Sequence, residues 1–346
     1  MSISVVVCAN KNYLPGAFVT LGSMLDSNGG RDDFVLHVLD TGIGEAGRGA
    51  LARFIATFPN AELRFHTVDT SCFQNAPRHF GGDLSAYARL LMGSLIGGPK
   101  CVYTDVDVIF LKDVAELWRA PLDGKIVRAV RYDGVPANPA GTLDYDCPFM
   151  PREEARNYPY YHSGIFLCDL DAWRASGMER KAFELLHEAG GKIKLHDQTI
   201  LNWLWRDNVG DLDNSWCRLA DCSPLREDTV WHFYTNRKPW ARRTFVTANI
   251  LWETYYRMRV RPFYRFRRPP AVFRFNLAWE LRTRFFAFVL TETYLKYLRM
   301  RGKPEILVNA TRVTFAAYRA YLSRGLDAQS ESVLKYYKSF LISRNS

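Results

Sequence analysis

The chain lacks any run near the ~18 consecutive apolar residues that a membrane-spanning helix requires, and Met1 to Val7 has neither a basic start nor an apolar stretch of secretory-signal length. The expectation is a protein kept in the cytosol. Cysteines are few, seven in 346 residues, odd in number and mostly inside apolar runs. That pattern favours reduced core thiols over a disulfide framework or a zinc site. Cys217 and Cys222 are the only close pair and read the same way. No G-x-G-x-x-G follows the first apolar run, and no G-x-x-x-x-G-K-[ST] occurs, which argues against a dinucleotide-binding enzyme and a P-loop NTPase. Internal repeats and low-complexity tracts are absent. What is present, 48% hydrophobic and 24% charged residues, suffices for one large core or two modest ones.

Acidic residues are scarce in the last third. From residue 241 onward 21 Lys and Arg face 6 Asp and Glu, a surplus of 15, whereas residues 1 to 240 carry 25 basic and 30 acidic groups. The net charge of +10 is thus an acidic two-thirds joined to a basic tail. Such asymmetry points to an anionic partner for the tail.

Ser4 to Ala9 is continuously apolar, as a strand buried on both faces of a parallel sheet would be. A polar turn, Asn10 to Tyr13, leads into a helical pattern with Pro15 in a first turn that tolerates it and Phe18, Leu21 and Leu25 at helical spacing. Phe34 to Leu39 reads as a second strand, Leu51, Phe54, Ile55 and Phe58 as a helix face, and Leu63 to His66 as a third strand. This alternation predicts an α/β domain, in which ligands bind beyond the carboxyl ends of the strands.

The strongest chemical signal lies in Lys100 to Leu111, apolar apart from Asp105 and Asp107. In extended chain, residues two apart face the same way. Two carboxylates forced together beside buried residues repel unless a hard divalent cation shares them. The plainer reading is a pair of solvated acids at a strand end. Asp113-Val114-Ala115-Glu116 follows as a capping box. Three further blocks stand out: His162-Ser163-Gly164 entering a buried strand, Asp197-Gln198 at a helix start where Asp197 is equally a candidate N-cap, and His232 to Trp240 with an imidazole and Lys238. Each alone also fits ordinary packing.

In order and spacing these blocks resemble glycosyltransferase family 8, in particular its bacterial lipooligosaccharide galactosyl- and glucosyltransferases. The family pattern runs Asn-Tyr, Tyr-Ala-Arg, Asp-x-Asp, Asn-Ala-Gly, Asp-Gln and His-x-x-Gly-x-x-Lys-Pro-Trp. Here it meets Asn12-Tyr13, Tyr87-Ala88-Arg89, Asp105-Val106-Asp107, His162-Ser163-Gly164, Asp197-Gln198 and His232 to Trp240. The resemblance covers residues 1 to about 240. It implies a GT-A-type nucleotide-sugar fold, an α/β domain with a mostly parallel sheet flanked by helices, over residues 1 to 245. It also implies a UDP-glucose or UDP-galactose donor, Mn²⁺ with Mg²⁺ as an alternative, and transfer with retention. By position, Asp105, Asp107 and His232 would ligate the metal. Asn10, Asn12 and the Val106 backbone would lie near the nucleoside, Lys238 and Arg89 would address the diphosphate and donor, and Ala9, Tyr13 and Thr235 would be further donor-binding residues. Asp133, His162, Asp197 and Gln198 would surround the donor sugar, with Asp197 and Gln198 the catalytic candidates.

Breaking a glycosyl–diphosphate bond needs the charge growing on the leaving phosphate to be neutralised, by a cation and by Lys238. Retention in hydrolases uses a carboxylate nucleophile about 5 Å from an acid. Gln198 is too weak for that, and Asp197 serves only if it reaches the far face of the sugar, so a front-face displacement is favoured. Three positions depart from the family pattern: Asn10 replaces an Asp, His162 an Asn, and Thr235 a Gly. The metal ligands are intact, so an active enzyme with altered donor or acceptor preference is expected, a non-catalytic nucleotide-sugar binder being the alternative.

Residues 246 to 346 are read as a basic, mainly helical extension. Arginines alternate with aromatics from Arg257 to Arg268, and helical patterns follow over 273–298 and 304–324. Such a segment suits an anionic membrane surface, where it would hold the enzyme peripherally on the inner face of the cytoplasmic membrane near a lipopolysaccharide or other lipid-linked glycan acceptor; the plainer reading is a helical subdomain with solvated arginines. Two other functions compete. A haloacid-dehalogenase-like phosphatase would also use a strand followed by Asp-x-Asp, but near its N-terminus. An RNA-binding tail would use the Arg and aromatic mixture but leaves the Asp pair unexplained, and no nucleic acid is expected.

Overall fold

The computed structural model describes residues 2–77, 83–132, 149, 158–190, 193, 195–220, 225–233, 238–241, 247–266, 291–302 and 328–343. They divide into two compact units. The first comprises Met1–Arg218, Asp228–His232 and Pro262–Tyr264, and the second Leu219–Glu227, Phe233–Arg261 and Arg265–Ser346.

The first unit is built on a seven-stranded sheet. Its strands are β1 (Ile3–Ala9), β2 (Phe34–Asp40), β3 (Ala61–Thr67), β4 (Lys100–Thr104), β6 (Val127–Arg131), β7 (Tyr161–Asp169) and β8 (Val209–Leu212), in the order β3-β2-β1-β4-β7-β6-β8. All neighbours pair in parallel except β7, which runs against both β4 and β6. The mostly parallel α/β sheet expected from the sequence is therefore present, with one reversed strand. Reversal matters for the site: the carboxyl ends of β1, β4 and β6 and the start of β7 share one rim. Strand β5 (Val108–Phe110) leaves this sheet and pairs antiparallel with Val230–His232, which brings His232 back to the end of β4.

Helix α1 (Leu14–Asn28) is the helix that the spacing of Phe18, Leu21 and Leu25 predicts; all its residues but Ser27 are buried, and Gly29 in the left-handed region (φ 74°) ends it. Its hydroxyls explain how an almost wholly buried helix tolerates these polar residues. Thr20 Oγ1 donates to Val108 O (2.8 Å), Ser23 Oγ accepts from Phe110 N (3.1 Å) and Ser27 Oγ donates to Phe110 O (3.1 Å), so the helix satisfies backbone groups of β5. Asp113 caps Val114–Arg119 by accepting from Ala115 N (3.0 Å), which bears out the N-cap half of the capping box, while the Glu116 carboxylate faces Lys112 Nζ (3.6 Å). Phe263 packs edge-on against Phe54 (centroids 5.5 Å) and Tyr264 stacks on Phe18 (4.9 Å), so part of the arginine–aromatic stretch is spent on the core of this unit.

On the β2 and β3 edge, His37 Nδ1 lies 2.9 Å from His66 Nε2. One ring must donate and the other accept, so the contact tolerates one proton fewer than two charged rings would carry. Burial, then His66, pushes His37 down from 6.5 to about 4. Between those values the unfolded chain binds a proton that the folded chain refuses. The stability this pair contributes is therefore full above pH 6.5 and lost as pH falls towards 4. Denaturation at pH 7.5 and 5.0 should show about 1–2 kcal/mol less pH dependence in His37→Gln than in the parent.

The second unit is helical: Thr247–Tyr255, Thr291–Met300 and Ala328–Ser343 are its main described helices. Trp252 stacks on Tyr256 (5.6 Å, 9°), Tyr255 packs on Tyr337, and Ser330 Oγ accepts from Leu225 N (2.9 Å). The helix read over 273–298 is seen at its end, within Thr291–Met300. Residues 267–290, and the whole 304–324 pattern, lie outside the described residues. Among the described residues no helix is long and apolar enough to cross a membrane.

Candidate active site

Asp105 and Asp107 occupy the link between β4 and β5, the strand-end position the sequence suggests. Asp105 is fixed by its neighbours: its N–H donates to Gly164 O (2.7 Å), and Oδ1 accepts from Tyr103 OH (2.8 Å) and pairs with Arg89 Nη2 (3.0 Å). Its other oxygen faces His232 Nε2 at 3.6 Å, and Asp107 Oδ1 lies 3.1 Å from that same nitrogen. Donor atoms of Asp105, Asp107 and His232 all fall within 4.8 Å of one another, with Asp107 and His232 buried and Asp105 half-buried.

Behind this triad sits Arg89 on the 3₁₀ turn Ser85–Leu91, almost fully buried. It does more for carboxylates than for solvent: Nε meets Asp197 Oδ2 at 2.9 Å, Nη1 donates to Ser163 O at 2.5 Å, and the guanidinium lies over the Tyr103 ring at 4.6 Å. Asp197 is 1% exposed and is the first residue of the helix Asp197–Trp205; the N-cap position is held by His196, at φ 58° and with no side-chain capping hydrogen bond, so Asp197 is not the N-cap. Gln198 Oε1 accepts from Ser163 Oγ (3.2 Å) and Nε2 donates to Tyr160 OH (3.1 Å).

The β1 turn is similarly tied down. Asn10 Oδ1 accepts from Asn12 N (2.8 Å) and Tyr13 N (3.2 Å), while Nδ2 donates to Asp83 Oδ2 and Ser85 Oγ (both 2.8 Å). The uncharged amide is what the turn requires, because an Asp here would set a carboxylate against Asp83. Ala9 is buried and its carbonyl accepts from Thr41 N (3.0 Å); Asn12 is exposed, Tyr13 half-buried and Val106 buried. His162 is buried, with its ring stacked on Tyr132 (3.5 Å, 22°). Burial, then His232, pushes its pKa down to about 3, so the imidazole is neutral. Lys238 belongs to the second unit, where its ammonium donates to Phe233 O (2.9 Å). Asp133 and Thr235 lie outside the described residues.

Electrostatics test whether a divalent cation fits. Three carboxylates, Asp105, Asp107 and Asp197, face one guanidinium, which leaves the cluster two positive charges short when His232 is neutral. The strain shows in its protonation. Burial raises Asp105, opposed by Arg89 and reinforced by Asp107. Burial also acts to lower His232, yet the facing Asp107 and then Cys217 outweigh it and push the imidazole up to about 10. A hard cation held by two carboxylates and one imidazole would replace that proton and restore neutrality. The residues fit the metal.

Gly164 is where the packing is tightest. A Cβ there would lie 2.4 Å from His232 Cε1, 2.9 Å from its Nδ1 and 3.1 Å from Asp105 Oδ2. The missing side chain at Gly164 is what makes room for His232. Gly164→Ala is expected to displace the imidazole and weaken Mn²⁺ binding by about 10–100-fold, measured by calorimetric titration.

Several residues of the site carried little sequence signal. Tyr103, two residues before Asp105 and so on the same face, was within reach of strand periodicity. Asp83, Ser85, Tyr132 and Tyr160 had none. Cys217, read from sequence as a core thiol, has its Sγ 3.3 Å from His232 Nδ1.

Residues 4–244 match the model of Glycosyl transferase family 8. General stress protein A of Bacillus subtilis is 26% identical over 265 residues, 69% of this chain and 88% of that protein. A putative glycosyltransferase of Haemophilus influenzae is 22% identical over 62% of each chain. Among solved structures, the galactosyltransferase LgtC in complex with donor and acceptor sugar analogs superposes with a TM-score of 0.60 at 23% identity, covering 72% of this chain and 94% of that one. That likeness shows the shared fold, the mostly parallel sheet flanked by helices. With the family model spanning well over half of its length, the chain belongs to glycosyl transferase family 8.

Proposed function

We propose that the chain transfers a hexose from UDP-glucose or UDP-galactose to a glycan acceptor, with retention, and that Asp105, Asp107 and His232 hold Mn²⁺ or Mg²⁺ for the donor diphosphate. The observation that carries this reading is the convergence of those three donors at the strand-end rim. When bound, the cation would act as a Lewis acid on the leaving diphosphate. Asp105 is prepared for it, because Tyr103 and Arg89 take one oxygen and leave the other towards His232.

The Arg89–Asp197 pair supports one of the two routes to retention. A carboxylate already paired with a buried guanidinium is a poor nucleophile, and Asp197 is so paired. We therefore favour the front-face route. The anomeric carbon–phosphate oxygen bond breaks, the acceptor oxygen bonds on the same face, and its proton passes to the departing phosphate oxygen. Gln198, fixed by Ser163 and Tyr160, would line the sugar and orient it, as would His162 and Asp133. Lys238 and Thr235 would meet the diphosphate.

Residues 246–346 form, in this reading, a docking region for an anionic membrane surface bearing a lipid-linked acceptor. Tyr297, Met300, Tyr336 and Ile342 are exposed there, and the basic residues Arg257, Lys296, Arg299, Lys335 and Lys338 are exposed as well. Sedimentation with anionic vesicles at low and high salt tests it, and no binding at low salt would overturn it. For the reaction, the test is UDP release with Mn²⁺ and a panel of UDP-sugars, with the product anomer read by NMR. Turnover with retention is expected for at least one donor; neither turnover nor binding with any of them would overturn the reading.

A further inference from the structure

The His232 imidazole stands between two sets of donors of opposite character. Its Nε2 faces the carboxylates of Asp107 and Asp105, at 3.1 and 3.6 Å. Its Nδ1 faces the Cys217 thiol, at 3.3 Å. His162 completes a group on the Cys217 side: donor atoms of His162, Cys217 and His232 also fall within 4.8 Å of one another, and all three residues are buried. One set is oxygen-rich and hard, the other offers sulfur and nitrogen.

We propose that His162, Cys217 and the Nδ1 edge of His232 form a second metal site, selective for Zn²⁺ and similar borderline cations, that competes with the carboxylate site for His232. Thiolate and imidazole are the donors zinc prefers, whereas Mn²⁺ and Mg²⁺ favour carboxylate oxygens. Tetrahedral zinc with bonds of 2.0–2.3 Å separates its ligand atoms by about 3.3–3.8 Å. The Cys217–His232 pair already meets that spacing, and the longest pair in the group need close by only about 1 Å. A water would supply the fourth ligand.

Competition follows from the ring itself. A neutral imidazole has one lone pair. When Nε2 binds a cation on the carboxylate side, Nδ1 carries the proton and points it at Cys217. When Nδ1 binds zinc, Nε2 carries the proton and donates to Asp107, which withdraws one ligand from the hard site. Zn²⁺ would thus lower Mn²⁺ affinity. This competition rests on the reading of Asp105, Asp107 and His232 as the donor-cation site; the nitrogen–sulfur site does not.

Co²⁺, a spectroscopic substitute for Zn²⁺, is the probe. Added to the full-length, reduced, chelator-treated protein, it should give a thiolate-to-Co²⁺ charge-transfer band that disappears in Cys217→Ser and persists in Asp107→Asn. Zn²⁺ affinity should fall at least about 100-fold in Cys217→Ala and about 10–100-fold in His162→Asn, with folding of each variant checked by circular dichroism. Absence of the band in the parent protein, its survival in Cys217→Ser, or unchanged Zn²⁺ affinity in both variants would overturn the site. Zn²⁺ that binds through Cys217 while the signal of protein-bound Mn²⁺ is undiminished would overturn the competition. A chain that gives the band but neither binds nor turns over any UDP-sugar would refute the transferase reading and leave the zinc site standing.

Discussion

Asp107→Ala is expected to lower transfer from the UDP-sugar by about 10³-fold or more and to remove its dependence on Mn²⁺. The magnitude follows from what the side chain does. Removing one preorganised group that stabilises developing charge costs about 10²–10³-fold in other enzymes, and Asp107 is one of only two carboxylates in the triad. It also holds His232 Nε2 at 3.1 Å, so its loss releases a second ligand. The fold should survive, since Asp107 lies in the link after β4 and not within the sheet. Initial rates across a Mn²⁺ titration test this. A variant that keeps the parental rate and Mn²⁺ response would place the cation elsewhere.

Arg89→Met is expected to destabilise the protein by about 3–5 kcal/mol, the usual consequence of removing one partner from a buried charge cluster. Asp197 is almost wholly enclosed, and its carboxylate and that of Asp105 would lose their shared cation. The distinctive part is the response to metal. In the parent, Mn²⁺ adds binding energy to a cluster already partly neutralised. In the variant it also offsets the lost guanidinium, so thermal melts should show a larger Mn²⁺-induced rise in Tm than in the parent. Equal rises would mean that Arg89 and the cation act on separate clusters. Arg89→Lys should fall between, because one ammonium cannot reach Asp105, Asp197 and Ser163 O together.

The α/β fold was legible because buried strands of a parallel sheet read as continuous apolar runs, as β1 and β2 do, and because Asp113 and Glu116 announce a helix start. The reversal of β7 was not, since direction leaves no mark on a nine-residue strand buried along nearly all its length. In the site, the Asp105 and Asp107 pair was legible from the cost of placing two carboxylates beside buried residues. Arg89 was legible only through family resemblance, which assigned it to the diphosphate and donor; its contacts with Asp105, Asp197 and Ser163 O were not legible at all. Cys217 and His162 illustrate the limit of spacing arguments. They stand 55 positions apart, and only the pairing of Val230–His232 with β5 brings His232 between them and the carboxylates.

The cation's place at the centre of the site is tested most directly by UDP binding, measured by calorimetry in saturating Mn²⁺ and again in excess EDTA. UDP should bind the Mn²⁺-loaded protein at least about 10-fold more tightly, a difference of about 1.4 kcal/mol or more, and Asp107→Ala should erase that difference. Equal UDP affinity in Mn²⁺ and in EDTA would contradict the account.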